Sequence, residues 1–391
     1  MTSKSGFLSH SMRWYGPRDY IKLETLKNHG IKNIVSSLHD IPVGKIWTLD
    51  EIKSYQSFIQ KSGFKWTVVE SLPVHEDIKT QAKGFKHKID NYKKSIENLA
   101  SQNIRTITYN FMPVLDWLRT HHRKPYKNKG FTLSFNRHHM VYFDLYHLRP
   151  KTSKKWYTEK EQEIAFNLNE KLSNKQKTTL VKSILQGLPG DSENFTMDSM
   201  LKLMEPYTSI DKKQLQEHLL YFLDQMIPVA QENGVNMVIH PDDPPFSVLG
   251  LPRIVGTEND LTEIFESNPS LSNGLCFCSG SLGSHHENDV LKIYSKHAHR
   301  IHFLHLRNVK KRKTYHFFET DIFEGDVKMK KLMQLIYNHY QTNSLKVPMR
   351  PDHGLLLHEE SRLNVYPGYS LMGRLESLEE LKHLENEIGS T

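Results

Sequence analysis

Cysteine is almost missing from this chain: two residues in 391, Cys276 and Cys278, one position apart. A disulfide scaffold is thereby excluded, and a bridge between these two would be strained. A reducing, cytoplasmic compartment is the expectation. Also missing is any run near the ~18 apolar residues that a helical membrane span requires, so no membrane partner is expected. The opening stretch MTSKSGFLSHSMRWYG has no apolar segment of a secretory signal. Low-complexity tracts and repeats at a solenoid period are lacking as well. Hydrophobic residues reach only 37% and the mean hydropathy is -0.58. What is plentiful is aromatic bulk, with 18 Phe, 17 Tyr and 5 Trp spread along the chain, which argues against disorder. The charge excess is modest, 52 Lys+Arg against 44 Asp+Glu, net +8, and suits either a polyanionic partner or a small anionic substrate.

Short β-branched stretches alternate with amphipathic ones, the rhythm of parallel strands joined by crossover helices. Eight strands are predicted, at 12–15, 33–38, 66–71, 106–111, 236–240, 274–278, 300–306 and 347–352. Helices are predicted at 19–28, 49–61, 85–101, 211–232, 258–266, 289–295, 326–340 and 374–388, many opening on Asp or after Ser or Thr. Eight such units spell an α/β fold of the (β/α)8 TIM-barrel class, one domain over 1–391. The rhythm breaks once. Roughly a hundred residues, 115–210, separate the fourth and fifth strands. They read as a mainly helical and loop insertion, a candidate lid or oligomer contact, with a basic loop at 121–130 and a Phe/Tyr-rich stretch at 131–148.

Barrel active sites lie at the C-terminal ends of the strands, and here those ends are polar. They carry Trp14 and Tyr15, His39, Glu70, Asn110, His240 with Asp242, Cys278, His305 with Arg307, and Asp352 with His353. His240, Cys278, His305 and Asp352 are plausible metal ligands on consecutive strands; a mixed N, S and O set suits a first-row divalent ion, with Mn2+ or Fe2+ favoured over a closed zinc site. A lone histidine is most often a hydrogen-bonded core or surface residue and a strand cysteine a small hydrophobe. The weight rests on the joint placement. The run KKRK at 310–313 follows the seventh strand without any helix-turn-helix, zinc-finger or RNA-binding signature, so a solvated loop or attraction of a carboxylate substrate is expected, and no nucleic acid.

These strand ends resemble a known family. MRWYGP (12–17), SLHDIP (37–42), VVESLPVHEDIK (68–79), YNFMPVLDW (109–117), GLPG (187–190), HPDDPP (240–245), GLPRIV (250–255), CSGSLG (278–283), HLR (305–307), RPDHG (350–354) and PGYS with GR (367–374) are similar to the motifs of mannonate dehydratases, xylose-isomerase-like barrels of hexuronate catabolism. The resemblance implies dehydration of D-mannonate to 2-dehydro-3-deoxy-D-gluconate with Mn2+ or Fe2+. It places the metal on His240, Cys278, His305 and Asp352, and acid–base chemistry on His353 and Tyr369 with their division of labour open. Cys276 is expected on the opposite side of its strand, as packing. Arg307, Arg350 and Lys310 are candidates to hold the substrate carboxylate, and Trp14, His39, Asn110 and Asp242 to bind the rest of it. A homo-oligomer, dimer or higher, is expected.

Three departures stand out: Ile322 where the family commonly has His, Lys328 where it has Asp, and Asn136-Arg137-His138-His139 in place of a more acidic run. They keep two alternatives open: another metal-dependent sugar-acid lyase or sugar isomerase on this barrel, or a catalytically silent anion-binding or regulatory protein.

Overall fold

The computed structural model describes residues 6–186, 195–313 and 315–390; the GLPG motif lies outside them. Nine parallel segments form the main sheet. Two of them, Leu8–His10 and Met12–Arg13, are halves of the first strand, interrupted at Ser11. The next seven barrel strands are Asn33–Ser36, Lys65–Glu70, Thr106–Tyr109, Asn236–Ile239, Asn273–Cys278, Ile301–Leu306 and Val347–Pro351. The first half pairs with the eighth strand (Leu8 beside Val347) and the second half with the second strand (Met12 beside Ile34), so the ring closes through Ser11. Every predicted barrel strand is present.

Inside the ring, Val35, Val68, Val238, Cys276 and Phe303 form a separate buried cluster, inward residues of five of the strands that fill the barrel. Outside it, helices cover the strands with apolar stripes. Phe85–Ser101, for example, buries Ile89, Tyr92, Ile96 and Leu99, each contributing roughly 1.5–3 kcal/mol relative to exposure. The cap signals are real: Thr48 and Thr257 form capping boxes with Glu51 and Asp260, and Asp211 and Asp289 accept backbone N–H bonds. Two helices start later than predicted. Asp19 is spent on a turn, accepting from the Tyr15 and Ile21 amides at 2.8 and 3.0 Å, so that helix is Leu23–Asn28. Asp326 accepts from the Lys311 amide at 2.8 Å, and its helix is Met329–Asn343.

The insertion is mainly helical but opens with a β-hairpin, His121–Tyr126 and Gly130–Asn136, where a basic loop was expected. This hairpin joins a second, antiparallel sheet of five strands. The others are Asn308–Lys313 and His316–Thr320, directly after the seventh barrel strand, and Leu356–Leu357 after the eighth. The KKRK run is therefore strand and no loop. Because its strands leave the barrel's C-terminal ends, this sheet roofs part of the mouth.

Candidate active site

A small cavity of about 60 Å³ opens at the C-terminal ends of the barrel strands, the end at which barrel enzymes carry their sites. Asn110, His240, Arg350, Asp352, His353 and Tyr369 line it, as expected, together with Arg13, Tyr15, Glu70, Thr108, Tyr109, Trp117 and Asp243. Two buried polar atoms on this wall, Thr108 Oγ1 and Trp117 Nε1, have no hydrogen-bond partner among the described residues, while the Tyr109 side chain turns outward onto Phe222 of a covering helix. Unpaired buried donors and acceptors are costly, and a hydroxylated ligand would satisfy them.

Below the cavity, ligand atoms of His240, Cys278 and His305 lie within 4.8 Å of one another. His240 Nδ1 donates to the Pro241 carbonyl at 2.6 Å, which assigns the hydrogen to Nδ1 and leaves Nε2 as a free donor atom. His305 is fully buried with Nε2 3.4 Å from Glu70 Oε2, a carboxylate contact of the kind that orients a metal-binding imidazole. Cys278 sits at the end of its strand and starts a short helix, its Sγ accepting from Ser281 N and Oγ at 3.4 and 3.1 Å. Asp352 is next to this group, Oδ2 3.3 Å from Cys278 Sγ and Oδ1 3.7 Å from His305 Nδ1. The donor set and its carboxylate support fit a first-row divalent ion. Cys276 is a correction. Residues two apart on a strand share a face, and its Sγ, 3.4 Å from His305 Nε2, points into the barrel as Cys278 does.

Two chains of buried ion pairs hold these groups. Glu70 is gripped at two oxygens by Arg350, at 2.9 and 2.7 Å, and by Arg13 at 3.0 Å. Burial alone would raise its carboxyl, but Arg350 and Arg13 outweigh that and hold it well below the usual range. Asp352 continues the chain, 2.9 Å from Arg350 Nη1 and 3.0 Å from Arg307 Nε. Arg307 reaches Asp243 at 2.7 Å and Glu319 at 2.5 Å, and Arg119 from the insertion joins the same two carboxylates at 2.7 and 2.8 Å. Gly280 makes this approach feasible, since a Cβ there would collide with the Arg307 side chain. Glu319 accepts from His353 Nδ1, at 2.8 and 3.0 Å to its two oxygens. Tyr369 stands edge-on to His353 and Tyr15, with centroids 5.2 and 4.9 Å apart, and burial pushes its phenol up from the ordinary value.

Five expected substrate contacts lie elsewhere. Trp14 is turned outward, stacked on Tyr55 and Phe58 with Nε1 donating to Ile21 O at 3.0 Å, while its neighbours Arg13 and Tyr15 face the cavity. His39 packs against Tyr15, 5.4 Å between rings, in an adjoining hollow, and burial with Arg13 lowers its pKa to about 3. Asp242 points away, accepting from Val255 N at 2.8 Å, and Asp243 takes the cavity position. Arg307 is consumed by Asp243, Glu319 and Asp352 beneath the wall, and Lys310 pairs with Asp326 at 2.6 Å on the half-exposed second sheet. Arg350 does line the cavity, yet both its edges are occupied by Glu70 and Asp352. Of the departures, Ile322 is buried in the core outside the cavity lining and Lys328 is exposed, so neither touches this site. Arg13, Trp117, Arg119, Asp243 and Glu319 escaped the sequence reading; Arg13 and Asp243 lie within motifs quoted above, each next to a residue that was singled out, and Trp117 closes the motif that holds Asn110.

The parallel barrel, with a polar cavity at its C-terminal mouth and a buried His–Cys–His set below, is of the xylose-isomerase-like class. The fold agrees: a xylose isomerase domain protein from Planctomyces limnophilus superposes with a TM-score of 0.52 over 98% of this chain and 99% of its own, at 9% identity. The particular family is shown by sequence. The family model described as D-mannonate dehydratase (UxuA) matches residues 8–391, and the chain belongs to that family. It is 38% identical to a mannonate dehydratase of Saccharophagus degradans over 96% of both chains, and 37% identical to one of Marinomonas sp. over 98% of this chain and all of the other. The crystal structure of mannonate dehydratase from Streptococcus suis serotype 2 matches with a TM-score of 0.77 and 29% identity, covering 99% of this chain and 95% of that one.

Proposed function

We propose that the protein acts as a hydro-lyase on D-mannonate, removing the C2 proton and the C3 hydroxyl as water to leave 2-dehydro-3-deoxy-D-gluconate. The observation that carries this reading is the His240–Cys278–His305 set lying under a cavity whose wall holds His353, Tyr369 and two unpartnered polar atoms. With Asp352, these three would hold Mn2+ or Fe2+. When bound, such an ion supplies positive charge where the carbanion-like charge beside the substrate carboxylate develops. His353, fixed through Nδ1 by Glu319, offers Nε2 to take the C2 proton. Tyr369, its phenol pushed up by burial, keeps its proton at neutral pH and gives it to the departing hydroxyl. Asn110, Thr108 and Trp117 supply hydrogen bonds to the polyol. The enol left behind ketonises in the product.

Both cysteines are free and buried, and a thiolate ligand must stay reduced, which supports a cytoplasmic setting. Among the described residues no helix is long and apolar enough to cross a membrane. Assembly into a homo-oligomer belongs to the same reading and is checked by light scattering on the eluting protein. The activity is tested by loading the protein anaerobically with Mn2+ or Fe2+ and following keto-acid formation from D-mannonate, its C2 epimer D-gluconate and its C3 epimer D-altronate. Turnover of D-mannonate in preference to both is expected. Metal binding without any D-mannonate turnover would overturn the assignment.

A further inference from the structure

Basic side chains from separate stretches of the sequence meet on the outer face of the five-stranded sheet, away from the cavity. In the strand His316–Thr320 alternate residues face opposite ways. Phe317 and Glu319 point inward, onto Arg119 and His353, and Phe318 between them points out. Lys124 Nζ lies 3.7 Å and Arg312 Cζ 5.2 Å from the Phe318 ring centroid, so an ammonium and a guanidinium share one ring. Beside them His121 Nε2 is 3.1 Å from His139 Nδ1, and His316 sits 4.6 Å from His138 between centroids.

The hollow bordered by Lys124, Arg312, His121, His316, Ser134 and Asn136 holds about 360 Å³, and no carboxylate lines it. Among the described residues neither Lys124 nor Arg312 has an ion-pair partner. Glu161, the acid acting on His138, is already engaged by Arg137 at 2.6 Å. The crowding is felt electrostatically: burial and Arg312 lower the Lys124 ammonium, and burial with neighbouring histidines lowers His139 and His316 to about 4. With His139 and His316 uncharged at neutral pH, the charge facing the hollow is that of Lys124, Arg312 and Arg123, with no carboxylate opposite.

We propose that this hollow is a second anion site, taking a phosphate group through Lys124 and Arg312 with Ser134 and Asn136 as further hydrogen-bonding partners. A guanidinium fork matches two phosphate oxygens, the ammonium a third, and a dianion answers two adjacent cations better than a single carboxylate does. The site is independent of the reaction proposed for the cavity.

The test is calorimetric titration of the full chain, in phosphate-free buffer, with inorganic phosphate, glucose 6-phosphate and D-gluconate. Saturable binding of one or both phosphate compounds is expected, weakened more than about tenfold in a Lys124→Gln/Arg312→Gln double variant by loss of two charge-assisted contacts. The double variant should retain the parent's melting temperature and D-mannonate turnover, and Arg312→Lys should retain part of the affinity. Equal binding of both compounds identifies free phosphate as sufficient; tighter binding of the ester identifies the ester. No saturable binding, binding untouched by the double variant, or gluconate binding as tightly as phosphate would each overturn the proposal.

Discussion

Replacing Glu319 by Gln tests whether the second sheet takes part in the chemistry beneath it. Glu319 Oε1 lies 2.8 and 3.2 Å from Arg119 Nη2 and Nε, 2.5 Å from Arg307 Nη1 and 2.8 Å from His353 Nδ1, with Oε2 3.0 Å from the same imidazole nitrogen. Glutamine keeps the shape and one acceptor oxygen, so the arginines, which stay charged, retain a partner there. The amide nitrogen would then stand where Oε2 was. It donates towards Nδ1 and favours the tautomer that carries its hydrogen on Nε2, the nitrogen needed as a base. Disturbing such a supporting contact costs typically 10–100-fold, or about 1.4–2.8 kcal/mol of barrier. Glu319→Gln should therefore lower kcat about 10–100-fold with KM and bound metal little changed. In a His353→Ala background it should cost nothing further, because the effect runs through that ring. Nitrogen-15 spectra of the histidine rings give a readout separate from turnover, with His353 passing from the Nδ1–H to the Nε2–H form. Additive losses in the double variant, or an unchanged tautomer, would refute the reasoning.

Cys278→Ala should abolish stoichiometric Mn2+ or Fe2+ binding by elemental analysis while Cys276→Ala retains it; the reverse order would move the ligand to Cys276. Trp14→Ala should cost roughly 3–5 kcal/mol in urea unfolding, as a large core truncation does, and Lys310→Ala almost nothing, with KM for D-mannonate unaltered in both; a raised KM in either would restore it to the site. Stability should also fall in acid. Burial, together with neighbouring positive groups, holds His39 near 3 and His122, His139 and His316 near 4, against about 6.5 unfolded. The unfolded chain takes up protons first, so this contribution, whole above about pH 6.5, is lost as pH falls towards 4 and then 3. For Glu319, burial is outweighed by His353, Arg307 and Arg119, which hold it near 2 against about 4.3 unfolded, adding a second loss below about pH 4.3. Urea midpoints that stay flat from roughly pH 8 to pH 4 would refute the first part.

The barrel was legible because its strands are runs of branched and aromatic residues and their polar ends fall at one rim by topology. His240, Cys278, His305 and Asp352 came from that logic alone. The second sheet was not legible. Its strands HHRKPY and NVKKRK carry charge where apolar alternation would mark a strand, and Phe318 pairs with Ser134, a residue far earlier in the chain. Phase was the other gap. The alternation of the first strand runs unbroken through Ser11, with Leu8, Met12 and Trp14 packed outward and Arg13 and Tyr15 in the cavity, but a polar strand end does not say which of two adjacent residues turns inward. Asp242 and Asp243 sit in a turn where no period says which side chain turns inward. Arg307 and Lys310 read as free cations, since their carboxylate partners Glu319 and Asp326 become neighbours only in the fold.

The divided first strand also has a consequence for how the chain is made. Its Met12–Arg13 half finds Ile34 and Val35 soon after they are synthesised, whereas the Leu8–His10 half waits for Val347, Pro348 and Met349. The last helix then adds the clamp, Glu385 accepting from the Leu8 amide at 2.7 Å and meeting His10 at 2.5 Å. Such long loop closures are slow and leave sheet edges unpaired meanwhile. Through most of translation the nascent barrel is thus an open, curved sheet with a free edge at either side. Its exposure to misassociation on the ribosome ends only when the final βα unit emerges and the seam at Ser11 is sealed.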